Sequence, residues 1–204
     1  MTKKFKQFSK ITNKNRFWFV YLSGTDIEDN MNNRKLNKMM LDLKFGENVL
    51  ADIYSETRKV VYAFVLTYVQ RKEDAEDVMQ ETYIRVQSGI AGYNEGNALA
   101  WILQIAKNLA INLRYKAKRE VAVDYSENEA LFGSYGLSED SVATKALLTK
   151  LDRDRSRIVV LHLLAGYKFR EISTMLDIPQ STVRWMYGEA LKTLKDALEK
   201  EEQI

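Results

Sequence analysis

The chain of 204 residues has room for one large domain or two small ones, and its 46% hydrophobic content is enough to fill a core. It contains no cysteine, which excludes a disulfide framework, a thiolate metal site and a cysteine nucleophile. The formal net charge of +3, with a pI near 8.9, permits nucleic-acid binding without demanding it.

No stretch approaches the roughly 20 apolar residues that a membrane helix needs. The apolar run near the N-terminus, Phe17 to Leu22, is too short for a signal core and has no small-residue cleavage site after it. Neither membrane insertion nor secretion is expected, and the lack of cysteine fits a reducing cytoplasm. One proline and nine glycines are few for this length and favour helices with short connections.

Residues 1–45 are basic, asparagine-rich and weakly periodic, and read as a tail or as an extension ahead of a later start at Met31, Met39 or Met40. From Glu47 to Tyr68, apolar residues recur at helical spacing: Val49, Leu50, Ile53, Val60, Val61, Phe64, Val65 and Tyr68. A polar break at residues 70–72 precedes "DAEDVMQETYIRV". Asp74 can cap a helix there, and Asp77 adds negative charge near the positive end of its dipole. In such a helix Ala75, Val78, Met79, Thr82 and Val86 share one face. Asp74, Asp77 and Glu81, with Gln80 beside them, share the opposite one.

The glycines and asparagines of "GIAGYNEGN", residues 89–97, mark a loop. Trp101 to Lys118 then reads as a long helix with Ile102, Ile105, Leu109 and Leu113 as its apolar stripe and a strongly basic C-terminal end. Residues 121–144 carry Asp124, Glu127, Glu129, Glu139 and Asp140 with no basic residue among them, the composition of a flexible acidic linker. Four further helices are expected over Val142–Leu151, Ser156–Leu164, Phe169–Leu176 and Gln180–Leu198. The predicted fold class is all-α, in two helical domains: 46–120, and 145–204 with a C-terminal helix-turn-helix. In that motif Ile172, Met175 and Leu176 face inward, Asp177-Ile178-Pro179 makes the turn, and the second helix is placed to enter a DNA major groove.

Together, "DAEDVMQET", "AWILQIAKNLAINLRYKAKR", the acidic linker and the terminal helix-turn-helix closely resemble a bacterial RNA polymerase sigma factor of the compact extracytoplasmic-function group. The resemblance covers roughly residues 48–200. It implies a non-enzymatic initiation factor in the cytoplasm, with core RNA polymerase, promoter DNA and an anti-sigma factor as partners. It implies no catalytic residue, metal or cofactor. Asp74, Asp77, Gln80 and Glu81 would dock on the polymerase clamp. Tyr93, Asn94, Glu95 and Asn97 would form a pocket for an unstacked minus-ten base, by stacking and amide hydrogen bonds. Lys107, Asn108, Asn112, Arg114, Lys116, Lys118 and Arg119 would contact phosphates. Gln180, Ser181, Thr182, Arg184 and Trp185 would meet the minus-thirty-five element. The acidic linker would mimic RNA in a basic channel.

The sequence departs from the family pattern after Arg184, where Trp185, Met186, Tyr187, Gly188 and Glu189 stand in place of a run rich in arginine. Two other readings are open: a helix-turn-helix regulator acting without polymerase, and a sigma-like interaction protein that no longer initiates. An enzyme using the carboxylates around Asp74 is disfavoured, since no histidine lies nearby and no second acidic cluster accompanies them. His162, flanked by leucines, reads as structural.

Overall fold

The computed structural model describes residues 31–69, 71–120 and 149–201, and every regular element among them is helical. They form two compact units. One holds residues 31–120 together with 160–168, and the other holds 149–159 and 169–201.

The N-terminal unit is built from α1 (Met31–Lys44), α2 (Leu50–Leu66), α3 (Lys72–Gly89), a single 3₁₀ turn (Ile90–Gly92) and α4 (Ala98–Glu120). Helix α2 buries Ile53, Thr57, Val61, Phe64 and Val65, a stripe that advances by three or four residues and so stays on one face. Helix α3 turns Ala75, Val78, Met79, Thr82 and Val86 inward, as its apolar periodicity predicts, and buries Tyr83 beside them. Helix α4 packs against both and buries Ile102, Leu103, Ala106 and Ala110 completely. Each large aliphatic removed from water there contributes about 1.5–3 kcal/mol, and the alanines let the helices approach closely.

Two polar side chains lie in the α2–α3 seam. Thr57 Oγ1 is 2.6 Å from the Ile53 carbonyl and 2.8 Å from the Tyr83 hydroxyl. The threonine proton goes to the carbonyl, which can only accept, so the tyrosine is the donor in the second bond. Burial raises the Tyr83 pKa and keeps that proton in place.

Helix α1 departs from the expected tail. Leu36, Met40 and Leu43, at i, i+4 and i+7, are buried, and α1 packs on α2 and α4. Residues 1–30 lie outside the described residues. Helix α3 also begins earlier than expected. Arg71, extended and without a side-chain cap, precedes it, and Asp74 sits inside the first turn rather than at the cap.

The C-terminal unit contains α5 (Arg153–Val159), α6 (Phe169–Leu176) and α7 (Gln180–Glu201). Asp152 caps α5, its Oδ1 accepting the Arg155 N–H at 2.9 Å. Helices α5 and α6 pack on α7 around Ile158, Val159, Ile172, Val183, Ala190 and Leu194. The helix expected over Ser156–Leu164 changes character at Val160. There a π-helical turn runs to Leu164, with the Ala165 N–H bonded to the Val160 carbonyl at 3.0 Å. Residues 160–168 count with the N-terminal unit, unlike the predicted domain boundary. His162 Nδ1 lies 2.7 Å from the Tyr167 carbonyl, so it carries the proton and donates it, a structural role. The expected acidic linker, and most of the helix expected over Val142–Leu151, lie outside the described residues.

The turn between α6 and α7 is closed by three features. The Ile178 N–H donates to the Ser173 carbonyl at 3.1 Å, Ser173 Oγ donates to the Ile178 carbonyl at 2.6 Å, and Asp177 takes the left-handed conformation at φ 57°. This is the helix-ending arrangement in which glycine is the usual left-handed residue. Asp177→Gly should therefore stabilise the C-terminal unit by about 0.5 kcal/mol, and Asp177→Val should destabilise it by about 1–2 kcal/mol, because a β-branched residue fits that conformation poorly. Denaturant unfolding of the full chain checks both.

Candidate functional site

Three surfaces carry the expected functional residues. The first is the outer face of α3. Asp77 and Gln80 are exposed, and Asp74 and Glu81 are half-buried. Ile84 stands seven residues on from Asp77 and four from Gln80, on the same face, and is 59% exposed. Sequence reasoning missed it by following only the acids, although helical spacing places it among them. The helix also neutralises much of its own acidity. Glu81 accepts from Arg85 Nε at 2.7 Å, Lys72 pairs with Glu76 at 3.6 Å, and Arg71 lies 3.8 Å from Glu73. Asp77 has no ion pair among the described residues and is the acid most available to a partner. Partial burial raises the Asp74 pKa above the ordinary value of 3.8. Arg71 lowers it in part, and Asp77 and Glu73 raise it further.

The second surface is the loop before α4 and the length of that helix. Here one assignment is corrected. Tyr93 is only 2% exposed, with its ring edge-on to Trp101 at 5.5 Å. Its hydroxyl donates to Asn37 Oδ1 at 3.1 Å, and its carbonyl accepts from Lys44 Nζ at 2.7 Å. Asn37 Oδ1 also accepts the Ala98 N–H at 3.0 Å. Tyr93 is thus the anchor that ties the loop to α1, and its faces are closed to a stacking base. Asn37 had no visible role in the sequence, because its partners are 56 and 61 residues away.

Asn97 is half-buried and serves as a helix cap, its Oδ1 accepting the Ala100 N–H at 2.9 Å. Asn94 and Glu95 remain exposed at the loop tip. Along α4, Asn108, Asn112, Arg114 and Lys116 are exposed and Lys107 is half-buried, and Gln104 Nε2 donates to Asn108 Oδ1 at 2.9 Å. Tyr115, 61% exposed among these basic residues, is a second side chain that charge counting passed over. Lys118 and Arg119 belong to the helix, but their side chains lie outside the described residues.

The third surface is the start of α7. Gln180, Ser181, Arg184 and Trp185 fall on one strip, from which Thr182 is turned away. Arg184 is exposed, with its guanidinium 5.9 Å from the centre of the Phe169 ring, and that ring packs on Tyr187 at 5.2 Å. Burial pushes the Tyr187 hydroxyl up to about 12. Among the described residues no group of three or more histidines or carboxylates could hold a metal ion, and no helix is long and apolar enough to cross a membrane.

Comparison with known proteins matches two family profiles, one to each half of the chain. The profile for sigma-70 region 2 matches residues 53–120, and that for sigma-70 region 4 matches residues 141–194. The extracytoplasmic-function (ECF) RNA polymerase sigma factor SigM of Bacillus subtilis is 28% identical over 149 residues, covering 71% of this chain and 91% of the relative. SigX of the same organism, also an ECF RNA polymerase sigma factor, is 23% identical over 159 residues, covering 72% and 82%. Two solved structures share the fold. CnrH, in complex with the cytosolic domain of CnrY, superposes with a TM-score of 0.53 at 17% identity, covering 80% of this chain and 97% of that one. The sigma factor RpoE of Bartonella quintana, in complex with the anti-sigma factor NepR, superposes with a TM-score of 0.52 at 21% identity, covering 72% and 97%.

Removing the loop anchor should cost stability. Asn37→Ala leaves the Ala98 N–H and the Tyr93 hydroxyl without their acceptor and should destabilise the N-terminal unit by about 1–3 kcal/mol. Tyr93→Phe should cost about 1 kcal/mol, and a thermal melt of each variant reads the change.

Proposed function

Because the chain belongs to the extracytoplasmic-function group of the sigma-70 family, we propose that it binds core RNA polymerase through α3, opens promoter DNA with the loop and length of α4, and reads a minus-thirty-five element with α7. A sigma factor is a transcription initiation factor and not an enzyme. The observation that carries the proposal is the outer face of α3, where an exposed isoleucine, Ile84, continues the strip of Asp77, Gln80 and Glu81 on a helix whose opposite face is fully committed to the core.

A solvated acidic face gains nothing from an exposed isoleucine at its end. An interface does, because its apolar core supplies affinity while the charged rim sets orientation and encounter rate. Exposed ion pairs contribute only about 0–1 kcal/mol each, and the Glu81–Arg85 pair must be exchanged on docking. Ile84 and Asp77 are therefore the main contributors in this scheme.

The basic and amide residues of α4, from Lys107 to Arg119, would track phosphates over roughly 18 Å. With Tyr93 held in the core, capture of an unstacked base falls to Asn94 and Glu95 at the loop tip. An anti-sigma factor is the expected regulatory partner, the chemistry seen for the Bartonella quintana relative. The site of action is the cytoplasm, where polymerase and DNA are. The shortage of basic residues after Arg184 favours one alternative, a sigma-like interaction protein that docks but does not initiate. Reconstituted transcription with core polymerase over a promoter library separates the two: promoter-dependent transcripts support initiation, and polymerase binding without transcripts supports the alternative.

Reversing charge at Asp77, Gln80 and Glu81 with lysine should weaken core binding tenfold or more, about 1.4 kcal/mol, in a fluorescence binding assay. Ile84→Ala should weaken it by a similar factor. A basic partner would lower the raised Asp74 pKa, so the complex favours the ionised form. Affinity should then fall as pH drops through a value above 3.8, and Asp74→Asn should remove that part of the pH dependence. Arg184→Ala should cost about 1–3 kcal/mol in promoter binding by the holoenzyme, read by gel shift.

A further inference from the structure

The exposed strip of α7 contains two features that the fold does not explain. Trp185 is 60% exposed. Gly188, three residues on, stands in mid-helix on the same strip, has no left-handed backbone, and would meet nothing within 4 Å if it carried a Cβ. Glycine is unfavourable in a helix interior, and here neither backbone conformation nor internal packing calls for it. Its effect is to leave a shallow notch beside Trp185 and Arg184, where an external surface can come close to the helix.

The indole is not left to swing. The Arg155 guanidinium lies 5.7 Å from the centre of the Trp185 ring. Arg155 is itself fixed: Nη1 donates to Asp152 Oδ2 at 2.8 Å, its backbone N–H donates to Asp152 Oδ1 at 2.9 Å, and Nε is buried without a hydrogen-bond partner. With one nitrogen held by a carboxylate and another enclosed, Arg155 is poorly placed to serve as a phosphate contact. Its accessible interaction is with the aromatic face. An exposed tryptophan of set orientation, next to Gln180 and Arg184 on a strip with an open notch, presents an apolar edge where base edges would lie. The apolar group that a major groove offers is the thymine methyl.

We propose that Trp185, oriented by Arg155 and admitted to close range by Gly188, reads a thymine methyl in the minus-thirty-five element, so that this recognition helix substitutes apolar readout for part of the missing basic contact. Arg155 is a positioning residue in this scheme, and the proposal rests on α7 entering the major groove.

The test uses the reconstituted holoenzyme on a promoter selected by library transcription. Each thymidine of its minus-thirty-five element is replaced singly by deoxyuridine, which removes the methyl and keeps every hydrogen-bonding group. Wild-type holoenzyme should lose about fourfold in binding at one position, the value of one buried methyl. Trp185→Ala should weaken binding and abolish that discrimination, and Arg155→Met should reduce the discrimination with the fold intact by circular dichroism. Gly188→Ala should raise the melting temperature yet weaken promoter binding about threefold or more, opposite signs that a purely structural glycine would not give. If no thymine position matters, if Trp185→Ala keeps the discrimination, or if Gly188→Ala binds as tightly as wild type, the proposal is overturned. Undiminished discrimination in Arg155→Met overturns the positioning role. If Arg184→Ala still weakens binding in those cases, only the methyl readout fails. If Arg184→Ala is silent as well, the assignment of α7 to DNA fails with it.

Discussion

Helix α4 is the element on which the N-terminal surfaces depend. Its inward face, Ile102, Leu103, Ala106 and Ala110, is fully buried against α2 and α3, which leaves only one rotational setting of a 23-residue helix. That setting turns Asn108 and Asn112, one turn apart, to solvent. The same packing commits Val78, Met79, Tyr83 and Val86 of α3 to the core, so Asp77, Gln80 and Ile84 must face out. The two proposed interfaces are thus opposite consequences of one hydrophobic seam. Close-packed interiors do not deform continuously, so a volume change in the seam would displace both.

The loop ahead of α4 shows how a residue with the chemistry of a ligand contact can be used for structure. Tyr93 has an aromatic face and a hydroxyl, but the fold spends the face on Trp101 and the hydroxyl on Asn37. Asn37 in turn satisfies the Ala98 N–H, one of the free donors at the start of α4. A single asparagine on α1 therefore holds both the loop and the helix that follows it. The exposed tip, Asn94 and Glu95, is presented by a rigid base, which is how binding loops usually gain precision.

In the C-terminal unit, aromatic and cationic groups are arranged in pairs. Arg184 lies near Phe169, which packs on Tyr187, and Arg155 lies over Trp185. Stacking of this kind restricts long side chains with little loss of their exposed area, so both Arg184 and Trp185 face solvent in restricted orientations. Under the proposed reading, the scarcity of basic residues just after Arg184 would suit readout by shape and apolar contact, which depends less on salt than phosphate binding does.

The sequence by itself determined the all-helical class, the apolar faces of α2 and α3, the helix-turn-helix and its family, because these rest on periodicity and on motifs a few residues long; in α4 the expected stripe of Ile102, Ile105, Leu109 and Leu113 gave way to a buried face of Ile102, Leu103, Ala106 and Ala110. Only the tertiary structure decided that residues 31–44 form a helix, since Leu36, Met40 and Leu43 are too few among asparagines and lysines to announce a core face until α2 and α4 cover them. It alone placed Tyr93 inside, because its partner Asn37 is 56 residues away and no local pattern records that pairing. It also decided that Arg155 reaches the ring of Trp185 from another helix. Local spacing fixes which side of a helix a residue occupies. What that side meets is set by contacts between segments far apart in the chain, and in this protein those contacts separate the residues that build the surfaces from the residues left free to bind.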